Sequence, residues 1–190
     1  MRLALLGGTQ TTYSLWNIND RNSHITLSGG NLTATKTDSN AHRGVRSTVT
    51  KLSGKWFWEI TIGVHGGVGS NTIGVATSAA ALTTLVGADA FGWGYLDTGQ
   101  KETNGTVDTY GATYTAGDVI GVALDLDVGT LVFYKNGASQ GTAYSGLSGA
   151  FLAMQTMYYI GDAVTANFGA SAFAYSVPGG YNSGLFTTTV

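Results

Sequence analysis

Asp125 and Asp127 stand two residues apart in an alternating apolar run, the spacing that sets two carboxyl groups on one face of a strand and invites acid and base roles. The competing reading is stronger. Asp127 opens an Asp-Val-Gly turn, where a carboxylate serves local backbone amides. Glu59 and Glu102 are the only glutamates, and no Glu-x-Asp-x-x-Glu run accompanies them, so a sandwich-type glycosidase is the third-ranked reading and Glu59 is expected to bond within its strand. His24, His42 and His65 are scattered without metal-ligand spacing, and cysteine is absent. Loop carboxylates such as Asp38, Asp89 and Asp97 suit calcium by type, but no EF-hand pattern holds them. Serines are plentiful without a Gly-x-Ser-x-Gly elbow, and the glycines at 66–69 lack the lysine and following helix of a phosphate loop. No catalytic residue, metal or cofactor is expected.

What remains is recognition. Polar, charged and aromatic side chains meet without alternation at 38–46, 63–71 and 95–104, the segments expected to be contact loops. Their candidate ligand-binding residues are Asn40, His42, Arg43, Arg46, His65, Tyr95 and Asn104. Arg43 suits bidentate contacts with a carboxylate or sugar hydroxyls. Trp93, between glycines, reads as core.

The elements that must carry these loops are strands. In the run GDVIGVALDLDVGTLVFYKNG at 117–137, Ile120, Val122, Leu124 and Leu126 share one parity, Leu131 and Phe133 resume it, and Asn136-Gly137 reverses the chain. Further strands are expected at 16–19, 24–27, 31–35, 46–49, 73–77, 91–95, 151–157 and 164–168. In the strand beginning at Lys55, Trp56, Trp58, Ile60 and Ile62 point one way. Residues 63–71 read as a glycine-rich loop with a mobile hairpin tip at 66–71, and 79–82 as one helical turn at most. The expected division is an arm at 1–12, a domain at 13–181 and a tail at 182–190. Leu3, Leu5 and Leu6 give the arm an apolar patch for docking on a neighbouring subunit.

At 190 residues with a formal charge of -2 and 11% charged residues, the chain suits one domain with a mostly neutral surface. Nucleic-acid binding is disfavoured, since it rests on many Lys and Arg contacts with phosphates. No stretch approaches the length of a membrane span, so insertion in a bilayer is not expected. Low charge weakens protection against self-association, which points to other virion proteins or further copies of the chain as partners.

Gly54-Lys55-Trp56-Phe57-Trp58-Glu59-Ile60, Ile73-Gly74-Val75-Ala76-Thr77, Phe91-Gly92-Trp93-Gly94-Tyr95, Asn104-Gly105, Tyr110-Gly111, residues 117–122, Leu124-Asp125, Asn136-Gly137 and Asn167-Phe168-Gly169 stand in an order that resembles a SPRY domain. The resemblance implies an all-β fold, a concanavalin-like jelly roll of two antiparallel sheets that binds partners through loops at one end. It implies a recognition module and not an enzyme. Residues 73–93 look most like SPRY proteins that carry a SOCS box, where a tyrosine between the Ala-Thr-x-x-Ala-x-Leu and Leu-Val-Gly runs helps form a peptide pocket. Here Thr83-Thr84 leads directly to Leu85, and the tyrosine is missing. The bare domain, short arm and Thr, Gly and Ala content resemble bacteriophage structural proteins. The leading expectation is a virion component of tail, fibre or capsid surface, which presents loops to a host glycan or protein. The alternative is a cytoplasmic SPRY adaptor that binds a peptide.

Overall fold

The computed structural model describes residues 8–189, and every regular element in them is a strand. In chain order these are β1 (Gln10–Tyr13), β2 (Trp16–Arg21), β3 (Ile25–Ser28), β4 (Thr33–Lys36), β5 (Arg43–Ser47), β6 (Lys55–Val64), β7 (Asn71–Ala76), β8 (Gly92–Leu96) and β9 (Gln100–Thr103). There follow β10 (Thr106–Thr109), β11 (Val119–Asp125), β12 (Thr130–Lys135), β13 (Ala138–Ser145), β14 (Leu152–Met157), β15 (Ala163–Asn167), β16 (Asn182–Ser183) and β17 (Phe186–Thr189). One sheet runs β10-β9-β8-β7-β14-β5-β2, the other β13-β12-β11-β6-β15-β4-β3, and β16 adds to β6. All these pairings are antiparallel except β16 with β6.

The two sheets close on one core, and period-two alternation selects its members. Trp16, Val45, Ile73, Val75 and Tyr95 come from one side, and Trp58, Ile60, Ile62, Ile120, Val122, Leu124 and Phe133 from the other. Trp16 meets the edge of Phe168 at 5.2 Å. The expected hairpin at 117–137 forms with Ile120 opposite Lys135 and Asp125 opposite Thr130. Asn136 and Gly137, both at positive φ, turn the chain into β13, as a type I′ pair requires.

Both outer faces are covered in part, which alternation alone does not reveal. On β6 the outward Phe57 and Glu59 are buried, because residues 171–183 return as a strap: Phe173 packs on Phe57 at 5.3 Å, and Ala174 and Tyr175 donate their N–H groups to the Glu59 carboxylate. Trp56, expected to join the core, is only partly buried; its Nε1 donates to the Ser53 carbonyl and the Lys51 ammonium sits 3.4 Å from its ring centroid. On the other sheet, residues 77–91 lie across Gly92 and Gly94 and bury a small cluster of Ala76, Ala80, Val86 and Met154. Within this covering segment 79–82 forms no helix, only the turn in which Ala80 N–H meets Thr77.

Several boundaries move. Residues 95–104 are no loop: β8 runs to Leu96, a short turn follows, and β9 returns. Nor is 63–71 a free tip, since β6 extends to Val64 and the rest is pinned by two aspartates. Residues 10–12 pair with 187–189 as β1 and β17, so the arm and the tail of the expected division meet in one ribbon where described. Leu3, Leu5 and Leu6 lie outside the described residues.

Candidate functional site

The strand registers bring the connections 22–24, 37–42, 65–70, 97–99, 110–118, 136–137 and 158–162 to one end of the sandwich. The sequence-derived candidates divide accordingly. Asn40, His42, Arg43 and His65 belong to this end. Asn104, at φ +49° in the turn between β9 and β10, stands at the opposite end. Tyr95 is wholly buried, its hydroxyl donates to the Ala112 carbonyl, and burial pushes its pKa up. Arg46, expected in a contact loop, is instead buried on the outer face of β5: its Nε and Nη2 bind the Asp20 carboxylate at 2.8 and 2.7 Å, and Nη1 donates to Ala80 under the covering segment. Tyr95 and Arg46 are therefore packing groups: Tyr95 lies in the core, and Arg46 lies on an outer face that residues 77–91 cover.

The loop 37–42 is built around a buried cation. The Lys36 side chain is fully enclosed, and its Nζ donates to the Asp38 carboxylate at 2.6 Å and to the Asp38 and Ser39 carbonyls at 2.7 Å. The other Asp38 oxygen accepts from Arg43 Nε and Nη2 at 2.9 and 2.6 Å. Burial by itself would raise the Asp38 carboxyl, but Lys36 and Arg43 outweigh it and hold the pKa at about 2, against an ordinary 3.8. A carboxylate depressed in this way contributes stability above its unfolded pKa that disappears as pH falls through the folded value. Thermal melts should therefore fall more steeply for wild type than for Asp38→Asn between about pH 4 and pH 2. Parallel curves would mean the clamp adds nothing.

Beside this clamp sits an aromatic group that the sequence reading missed. His42 packs against Tyr158 with centroids 4.8 Å apart and the ring planes tilted by 50°, Ala41 N–H donates to the Tyr158 carbonyl, and Tyr159 stands edge-on to Tyr158 at 5.1 Å. Ile160, at the tip of the same turn, is 63% exposed. Burial first, then the Lys36 and Arg43 charges, push the His42 pKa down, so the ring is neutral near pH 7. Asp162 holds the turn by accepting the amides of Tyr158 and Tyr159 at 3.2 and 2.8 Å and of Gly66 at 2.6 Å. The available signal was Tyr158-Tyr159-Ile160-Gly161, aromatic and aliphatic residues exactly where alternation stops before a glycine turn.

The patch thus presents an aliphatic tip, two tyrosine rings, a neutral imidazole and a partly exposed guanidinium on loops tied by internal hydrogen bonds. Leu82 in the covering segment borders it, its carbonyl accepting the Gly44 N–H, with Thr83 exposed next to it. Such an arrangement can bind, and the paired carboxylates singled out in the sequence are engaged within the fold. Asp125 accepts the Asp127 and Val128 amides and pairs with Lys55 at 2.9 Å, while Asp127 accepts from Gly54. Glu59 and Glu102 lie on different sheets, on opposite outer faces.

A family model described as SPRY domain matches residues 55–171, more than half of the chain. The chain belongs to the SPRY family. Over 171 residues it is 34% identical to Ran-binding protein 9 of Xenopus tropicalis, and over 170 residues 32% identical to Ran-binding protein 10 of Danio rerio; each alignment covers 85% of the chain. It spans only 31% and 28% of those proteins. Among solved structures it resembles the SPRY domain of human HERC1, with a TM-score of 0.70 at 20% identity over 80% of this chain and 96% of that one. The TRIM65 PSpry domain gives 0.66 at 20% identity over 82% and 92%. These likenesses establish the fold of this SPRY domain.

Proposed function

We propose that this SPRY domain is a protein-recognition module of the adaptor type, and that it grips a segment of its partner with the end that carries His42, Arg43, Tyr158, Tyr159 and Ile160. The observation that carries the reading is the exposure of Ile160 beside two tyrosines and fixed donors, since aromatic residues and arginine dominate binding energy in well-packed contacts. Asn40, exposed on the same loop, adds a polar rim. The named relatives favour this reading, and the virion component expected from composition, with its glycan ligand, finds no support among them. A cytoplasmic location goes with the adaptor reading.

Selection of a random twelve-residue peptide library on the purified protein tests it. Enriched peptides should bind wild type and lose about tenfold or more in affinity for Ile160→Asp, a change at an exposed tip that spares the core. Purified Ran belongs in the same assay as a separate arm, because the relatives' names refer to proteins about three times as long as the aligned region. Equal binding by wild type and Ile160→Asp would remove the His42–Ile160 patch as the contact surface.

A further inference from the structure

A second recess opens at the same end, between 65–70 and 113–118. Its volume is about 310 Å³, and His65, Val68, Asp97, Tyr114, Asp118 and Lys135 are among the residues that line it. We propose that this recess takes an uncharged aliphatic side chain of the partner segment, with an adjacent backbone carbonyl meeting the Lys135 ammonium. The proposal rests on the peptide-recognition reading above and extends it to a second subsite.

Charge decides the occupant. Each carboxylate of the recess is already engaged: Asp97 accepts His65 Nε2 at 2.6 Å and the amides of Gly69, Ser70 and Asn71, while Asp118 accepts Asn136 Nδ2 at 2.7 Å, Thr115 N–H at 2.9 Å and Lys135 at 3.2 Å. An incoming ammonium would find those oxygens occupied and would face Lys135. An incoming carboxylate would meet Lys135, whose charge is already shared with Asp118, and would also face the carboxylate of Asp97. Lys135 Nζ also donates to the Thr113 carbonyl at 2.8 Å, so among the described residues two of its three hydrogens are placed and one is left for a neutral acceptor.

Shape and position agree. The volume is at the small end of ligand pockets and suits a side chain better than a cofactor. Val68, 77% exposed, offers an aliphatic wall. The loop that carries it is shared with the first patch, since Gly66 and Gly67 lie so close to Tyr159 that a Cβ on Gly67 would come within 2.8 Å of the ring. One flank of this loop therefore faces the Tyr159 turn and the other faces the recess, which lets one extended segment touch both.

The library selection distinguishes the two claims. Enriched peptides should share an aliphatic residue flanked by uncharged ones, and should lose about tenfold in affinity for Val68→Asp and for Thr115→Glu, both at exposed positions. Replacement of that aliphatic residue by Asp in the peptide should cost as much. Peptides that bind both variants within about twofold of wild type, yet lose to Ile160→Asp, would overturn the recess and leave the recognition reading standing. Absence of enrichment, or binding indifferent to all three substitutions, would overturn both.

Discussion

Gly94→Ala should cost this domain about 3 kcal/mol or more and leave little folded protein at 37 °C. Gly94 sits opposite Gly74 on the outer face of β8 and β7, and the covering segment rests its backbone there. A Cβ on Gly94 would run into the Val86 carbonyl and come within 2.6 Å of the Thr72 methyl. The first obstacle is backbone, so no side-chain rotation relieves it. To make room, 77–91 must lift, which uncovers Ala76, Ala80, Val86 and Met154 and takes the Ala80 carbonyl from Arg46. Gly179→Ala is the control, at a glycine with open space around its Cβ position and no positive φ, and it should shift stability by no more than about 0.5 kcal/mol. Urea midpoints of the two variants measure the difference. If they coincide, the covering segment does not rest on β8.

Asp97→Ala should be nearly as damaging, at about 3 kcal/mol, and its effect should be local first. The buried Asp97 carboxylate gathers three consecutive backbone amides and His65 around two oxygens. Its removal leaves those donors without an acceptor in a place water reaches poorly, and an unmade buried hydrogen bond costs more than a made one contributes. Amide exchange of Gly69, Ser70 and Asn71 should accelerate before the global midpoint moves far, while Asp97→Asn, which keeps the shape and one carbonyl oxygen, should fall between. Unchanged exchange at those amides in Asp97→Ala would show that the loop is held by something else.

What the sequence made legible follows the range of each cause. The 117–137 hairpin depends on parity and on Asn136-Gly137, all within twenty-odd residues, and it forms as read. Asn104-Gly105 carries the same turn chemistry and was available to predict β9 and β10, but 95–104 reads as a loop when its polar content is weighed above its turn signal. Phe57 and Glu59 are buried by a strap 115 residues further along, and Arg46 by a segment 34 residues away, contacts that no local pattern encodes. The same limit governs the candidate site. Arg43 was recognisable as a donor in a polar loop, whereas its neighbour Tyr158 reaches it only because β14 pairs with β5.

The ribbon of β1 and β17 gives the domain a mechanical character. Gln10 lies opposite Thr189, and four residue pairs lead inward from there to Tyr13 and Phe186. Tension drawn between Gln10 and Thr189 acts along the hydrogen bonds rather than along the strands, so they rupture in succession like a zip instead of sharing the load. A modest pull would therefore unpeel these two strands as a fuse, and the layers behind them would feel strain only afterwards.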